Sequence, residues 1–79
     1  MDRTLELWHE AAKRGDLDAH ISLAKHYEHR ARDYAQAERI TQSAIRIVSA
    51  ARFPGRERKK VLPELQHRLA RIQRRAGKS

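Results

Sequence analysis

Cysteine is absent from this 79-residue chain, and glycine, proline and aromatic residues are scarce: three Gly, two Pro, one Trp, two Tyr and one Phe. Without cysteine, neither disulfides nor a cysteine zinc site can hold the fold. Three isolated glycines cannot form a phosphate-binding loop. The serines lie in helical patterns, without the sharp turn that exposes a catalytic serine. We therefore expect no enzymatic activity and no cofactor.

Two kinds of segment are also missing. No run of residues alternates between apolar and polar with the period of a strand, so a β-protein is excluded. No apolar run approaches the roughly 18 to 20 residues that cross a bilayer, and no signal-peptide core follows Met1. With 39% hydrophobic and 35% charged residues, the composition is typical of a small helical protein. We expect an all-α, cytoplasmic protein that does not contact membranes.

Acidic residues are scarce at one end of the chain. The formal net charge is +8, from 18 basic and 10 acidic side chains. Residues 1–51 carry eight of each sign, whereas residues 52–79 carry ten basic and two acidic side chains. The whole excess lies in the last third, which indicates an acidic partner for that end, with nucleic acid as the first candidate.

Local signals divide the chain into four predicted helices. Asp2, Asp16 and Asp33 are N-cap candidates, because an aspartate side chain accepts hydrogen bonds from the free N–H groups of a first helical turn. Gly15 is placed to end the first helix in a left-handed conformation, and Pro54 ends the third helix. The predicted helices cover about residues 2–14, 17–31, 34–52 and 56–76.

The apolar pattern predicts how these helices pack. Apolar residues spread over roughly 160° of the third helix, wider than an ordinary surface helix, so this helix needs a partner on each side. The last helix carries one apolar stripe, formed by Leu62, Leu65, Leu69, Ile72 and Ala76. Pro63 interrupts this stripe and either kinks one long helix, which we favour, or begins a separate helix. Phe53 is expected to fold back onto the core.

Residues 20–44 are the centre of the pattern: two helices of similar length joined by a very short turn. Tyr27 lies on the first helix, and Ala37 and Ala44 lie on the second. This arrangement resembles a tetratricopeptide (TPR) repeat, and residues 11–44 also resemble the related Sel1-type repeat. The resemblance implies antiparallel hairpins in a right-handed helical array, with Tyr27 packed against the two alanines. Ten positions separate Tyr27 from Ala37, one more than in the repeat.

A second resemblance covers nearly the whole chain. Its most specific elements are the run AKHYEHR at residues 24–30 and the run LQHRLAR at residues 65–71. The chain is similar to the C-terminal helical segment of certain bacterial proteins that carry a ribonuclease H-like, exonuclease-type domain. In that family the catalytic acidic residues belong to the nuclease domain, which this chain lacks. The resemblance therefore implies a non-catalytic accessory module of a nucleic-acid enzyme.

The last helix carries a candidate nucleic-acid contact surface. Five basic residues fall within about 80° on its helical wheel: Lys60, Arg68, Arg71, Arg75 and Lys78. Such a stripe could follow a phosphate backbone. The alternative is that these side chains only solvate an exposed helix, with Arg68 paired to Glu64 one turn away.

The TPR resemblance also implies a partner groove. The first helix of such a hairpin usually lines the groove, which here would offer Lys25, Glu28 and His29 as contacts. His26 and His29 lie three residues apart but have no third ligand at metal-binding spacing, so we expect exposed histidines rather than a metal site. Trp8 is expected to be a packing residue.

These observations lead to one preferred function and two alternatives. We prefer a non-catalytic, TPR-like interaction or accessory module that binds a partner protein or the rest of a larger nucleic-acid-processing polypeptide. The first alternative is an autonomous nucleic-acid-binding domain that uses the basic last helix. The second is a helix bundle that forms oligomers through residues 62–72.

Overall fold

The protein is all α-helical, as predicted. A computed structural model describes residues 3–77, and within them four α-helices follow one another: α1 (Arg3–Lys13), α2 (Leu17–Lys25), α3 (Tyr34–Ser49) and α4 (Gly55–Arg75). A π-helical turn, His26–Arg30, continues α2. The described residues contain no strand. The N-cap predicted at Asp2 lies outside them.

α1 ends at the glycine that the sequence indicated. Gly15 has a φ of +85°, and its N–H donates to the carbonyl of Ala12 at 3.0 Å. The N–H of Asp16 donates to the carbonyl of Ala11 at 3.1 Å, which completes a Schellman motif. The Asp16 side chain then accepts a hydrogen bond from the N–H of Ala19 at 3.3 Å. One short turn therefore closes α1 and caps α2, and both predictions are confirmed.

The connection from α2 to α3 differs from the prediction. The second helix does not stay α-helical to its end, because His26–Arg30 form a π turn. The N–H of Asp33 then reaches back to the carbonyl of Tyr27 at 2.8 Å, while Arg32 takes a left-handed φ of +52°. A π turn holds one more residue than an α turn. The π turn therefore adds one residue to the connection between Tyr27 and Ala37.

Arg32→Gly is expected to stabilise the protein by about 0.5 kcal/mol. A left-handed conformation costs a non-glycine residue roughly 1–2 kcal/mol, and the greater freedom of glycine in the unfolded chain offsets part of that gain. Urea unfolding followed by circular dichroism at 222 nm measures the change. Ala31→Gly is the control, since Ala31 has a right-handed φ of −80° and glycine there should destabilise. Equal destabilisation by both substitutions would contradict the prediction.

α3 is the central helix of the fold. It begins at the predicted N-cap Asp33, whose side chain accepts a hydrogen bond from the N–H of Gln36 at 3.2 Å. It contacts α2 on one side and α4 on the other, which confirms that its wide apolar face needs two partners. Its buried residues are Ala37, Thr41, Ala44 and Val48. The Cα atoms span 34 × 34 × 15 Å, so the helices form a flat array.

The main apolar cluster joins α3 to α4. Ala44, Val48 and Leu65 form its buried centre, and partly buried residues from α2, α3, the α3–α4 connection and α4 pack around them: Leu17, Ile21, Ile45, Phe53, Val61 and Leu62. The expected return of Phe53 to the core is confirmed. α4 runs without interruption through Pro63, which confirms one long element.

α3 ends earlier than predicted, at Ser49 rather than near residue 52. Ala50 is extended, with φ −64° and ψ 143°. The guanidinium of Arg58 in α4 donates to three carbonyls at this end, those of Val48 at 2.6 Å, Ala50 at 2.7 Å and Phe53 at 3.1 Å. A cation near the C-terminus of a helix is favourable. Arg58 therefore stabilises the free carbonyls where α3 stops.

Candidate functional site

A buried carboxylate joins the end of α2 to α4. Glu28 has no exposed surface. Arg71 donates to it twice, from Nε to Oε2 at 2.6 Å and from Nη2 to Oε1 at 3.0 Å, and Arg68 donates from Nη1 to Oε1 at 2.9 Å. A bidentate arginine–carboxylate pair is among the stronger charged contacts in proteins.

The two arginines determine the ionisation of this site. The hydrogen bond from Arg71 lowers the pKa of Glu28 below its ordinary value, against the opposing effect of burial, and the charges of Arg71, His29 and Arg68 lower it further. The same hydrogen bond raises the pKa of Arg71. Glu28 is therefore ionised at neutral pH. Glu28 is the acidic partner of both Arg68 and Arg71.

This geometry corrects two expectations. Glu28 cannot be a groove contact in this conformation, because it is fully buried. Arg68 forms its ion pair with Glu28 rather than with Glu64, which is exposed. The physical reason in both cases is that the interior placement of Glu28 requires neutralising charge.

The predicted basic stripe on α4 is divided by these pairs. Arg68 and Arg71 are partly buried and bonded to Glu28, whereas Lys60 and Arg75 are exposed. Lys78 lies outside the described residues. Contact between this stripe and nucleic acid stays a prediction, and two of its five members already have a role in the fold.

A sequence signal for the burial of Glu28 does exist. Leu17, Ile21, Ala24 and Glu28 follow one another at four-, three- and four-residue intervals, which places them on one helical face. The first three are apolar and face the core. A carboxylate at the next position of an apolar face needs a buried cation, and the arginine-rich last helix was the available source.

The solvent face of α4 carries a different line of basic residues. Arg56, Lys60, His67 and Arg74 are all exposed and fall within about 40° on the helical wheel. The line is about 27 Å long at the α-helical rise of about 1.5 Å per residue. Pro63 also lies on this face and is uncharged.

A groove lies between α1 and α3, with α2 as its floor. Its cavity is about 420 Å³. Three exposed cations line it, Lys13 from α1 and Arg39 and Arg46 from α3. Among the residues that the structure describes, no Asp or Glu lines this groove. We call it the α1–α3 groove.

A second cavity, of about 320 Å³, lies between α1 and the end of α2. Trp8 lines it together with five residues of α2 and the π turn: Ser22, Lys25, His26, His29 and Arg30. The structure therefore brings Lys25 and His29, two of the three predicted groove contacts, to one place. Trp8 was expected to be a packing residue. In the structure it is only half-buried and lines this cavity. We call this cavity the Trp8 pocket.

The Tyr27 side chain makes its described polar and ring contacts with histidines. Its hydroxyl is hydrogen-bonded to Nε2 of His9 in α1 at 2.9 Å. Its ring also meets the ring of His9 edge-on at 6.0 Å and that of His26 at 5.2 Å. Tyr27 is half-buried and ties α1 to α2. Its predicted packing against Ala37 and Ala44 stays a prediction.

Neither a metal centre nor a membrane span emerges from residues 3–77. No group of three or more His, Cys, Asp or Glu side chains there is placed to hold a metal ion. None of the described helices combines the length and apolar character that a membrane crossing needs.

Comparisons with family models, with curated protein sequences and with solved structures each find no significant match. The candidate surfaces must therefore be interpreted from their own geometry and charge.

Proposed function

We propose that this chain is a non-catalytic interaction module with a TPR-like helical array, and that its partner is a protein with an acidic segment. The α1–α3 groove carries the proposal. Lys13, Arg39 and Arg46 line it without any acidic counterpart from the described residues. An acidic segment would meet positive potential throughout the groove, which favours encounter and selects against basic competitors.

The other lining residues suit a peptide. Between the cations lie neutral hydrogen-bonding groups, such as Gln36, Gln42 and Ser43, beside the apolar Leu23. His20 also lines the groove, and its Nδ1 donates to the carbonyl of Asp16 at 2.8 Å, which leaves Nε2 as the ring nitrogen for a partner. A cavity of about 420 Å³ holds a few side chains of a segment rather than a domain. The proposed partner is therefore a short acidic stretch that lies along the groove.

The proposed wider context is a larger nucleic-acid-processing protein of the ribonuclease H-like, exonuclease type. Its support is the resemblance of residues 24–30 and 65–71 to the helical segment of such proteins. The gene sequence upstream of the Met1 codon tests this part. A nuclease domain with an acidic motif in the same reading frame would support it, and an in-frame stop codon would contradict it.

A second candidate function is nucleic-acid binding by the solvent face of α4. The observation that favours it is the line formed by Arg56, Lys60, His67 and Arg74, whose side chains are exposed. A line of cations along a helix can follow successive phosphates. The surface differs from the predicted stripe because Arg68 and Arg71 are engaged with Glu28.

Two pairs of charge reversals separate these functions. The groove pair is Arg39→Glu with Arg46→Glu, and the α4 pair is Lys60→Glu with Arg74→Glu. All four side chains are exposed, and both pairs change the net charge equally. Fluorescence anisotropy measures the binding of a labelled glutamate-rich 12-residue peptide, and of a labelled DNA duplex, to each variant. An uncharged Gly-Ser peptide of the same length measures any binding that does not depend on the negative charge of the ligand.

The groove pair is expected to weaken binding of the acidic peptide by about tenfold or more, and the α4 pair by less than about twofold. Charge pairs across an interface of this kind are commonly worth at least 1.4 kcal/mol, which is a factor of ten. Equal losses of affinity in both variants would indicate that peptide binding depends only on the net charge of the protein. That result would overturn the groove proposal. Loss of duplex binding in the α4 pair alone would support the second candidate.

A further inference from the structure

We propose that the Trp8 pocket binds an unstacked base of a single-stranded nucleic acid, with Lys25 and Arg30 on its phosphates. The pocket shares no lining residue with the α1–α3 groove, so this inference does not depend on the acidic-peptide partner. It also uses none of the basic residues of α4.

The first observation is an accessible aromatic ring. Trp8 is half-buried and lines an open cavity of about 320 Å³, the lower end of the range for small-molecule sites. A flat indole that borders such a space offers a stacking surface to any base, because every base has a π face. The solvent face of α4 carries no Trp, Tyr or Phe.

The second observation is that the neighbouring rings hold one another in place. His26 lines the pocket beside Trp8, and its ring meets Tyr27 edge-on at 5.2 Å with an interplanar angle of 77°. Tyr27 is in turn hydrogen-bonded to His9 of α1 at 2.9 Å. These contacts join the helix that carries Trp8 to the helix that carries the cations. The pocket is therefore organised before a ligand arrives, which lowers the entropic cost of binding.

The third observation is the charge around the ring. Lys25 and Arg30 line the pocket and are exposed. The one acidic residue of this stretch, Glu28, is buried and bonded to Arg68 and Arg71. Its Oε1 also lies 3.5 Å from Nε2 of His29. Among the described residues, none of those that line the Trp8 pocket is acidic.

A ring beside two cations favours a ligand with flat groups and more than one negative charge. A single-stranded nucleic acid meets this requirement, since each unit provides a base and a phosphate. A base within a duplex is stacked and could not enter. A phosphotyrosine peptide offers only one ring and one phosphate, and is the main competing ligand.

Trp8 is the only tryptophan of the chain, so its fluorescence reports on the pocket directly. We would titrate the full chain with an octamer of deoxythymidylate, with an abasic octamer of the same length, and with a phosphotyrosine peptide. The thymidylate octamer is expected to quench Trp8 and to bind about tenfold or more tightly than the abasic octamer, because stacking contributes about that factor per base. With two cations on phosphates, the slope of log affinity against log salt should be about −1.4.

The pocket pair, Lys25→Glu with Arg30→Glu, is expected to weaken octamer binding by about tenfold or more. The α4 pair described above is the matched control and should change it less than about twofold, and circular dichroism at 222 nm confirms that both variants fold. Equal binding of the abasic octamer, tighter binding of the phosphotyrosine peptide, or no binding of any probe would each overturn the proposal. A larger loss in the α4 pair would also overturn it and would place the nucleic acid on α4.

Discussion

Replacing Glu28 with glutamine is expected to lower the free energy of unfolding by about 3 kcal/mol. The substitution keeps the shape of the side chain but removes the charge that Arg68 and Arg71 neutralise at 2.6 to 3.0 Å. Breaking one partner of a buried ion pair costs about 3–5 kcal/mol. We expect the lower end of that range, because the two arginine side chains retain 18% and 31% of their exposure and can turn to water.

Urea unfolding at neutral pH measures this loss, with Glu64→Gln as the matched control. Glu64 is exposed, so its amide variant should change stability by less than about 0.5 kcal/mol. A loss at Glu64 as large as that at Glu28 would show that net charge, and not the buried pair, is responsible.

The loss of stability caused by Glu28→Gln should become smaller as the pH falls. The pKa of Glu28 is lowered in the folded state by its hydrogen bond with Arg71. Its contribution is therefore complete above the unfolded-state pKa of a glutamate, roughly 4.3, and is lost as the pH falls through the lower folded-state value. The stability difference between the parent protein and the Gln variant should narrow below about pH 4. An unchanged difference at pH 3 would contradict the assignment of the effect to this carboxylate.

Leu65→Ala is expected to destabilise the protein by about 3 kcal/mol. Leu65 is 2% exposed and forms the centre of the main cluster with Ala44 and Val48. Removing a buried leucine side chain costs about 2–5 kcal/mol, from lost burial and from the cavity left behind. A protein of this size has roughly 4–12 kcal/mol of stability in total. The variant should therefore unfold at clearly lower urea concentration.

Leu7→Ala is the control for this second prediction. Leu7 is 67% exposed on α1, so the same chemical change should cost less than about 0.5 kcal/mol. Circular dichroism at 222 nm and the midpoint of urea unfolding compare the two variants. Similar losses at both positions would mean that α4 does not close the core as the structure indicates.

The sequence predicted the helices well where the deciding interactions are local. The Gly15 turn and the Asp16 and Asp33 caps involve groups within a few residues of each other, so residue type and order were sufficient. The apolar spacing of α3 likewise indicated two packing partners before their positions were known. The end of the third helix was predicted less accurately. The carbonyls at that end accept hydrogen bonds from Arg58, which lies in α4.

The candidate surfaces were predicted only in part. Lys25 and His29 were expected to face a partner, and both line the Trp8 pocket. Trp8 was missed because its role there depends on α1 lying beside the end of α2. The α1–α3 groove was missed for the same reason, since Lys13 and Arg39 come from helices that are not adjacent in the chain.

The sequence by itself determined the helical character of the chain, the turn at Gly15 and the concentration of positive charge in the last third. Tertiary structure alone decided where that charge acts. Arg68 and Arg71 meet Glu28 across 40 and 43 positions of sequence, and spacing along one helix can place Glu28 on an apolar face but does not identify its partners. The physical reason is that burying a carboxylate requires neutralising cations, and the packing of α4 and of the π turn against α3 determines which arginines supply them.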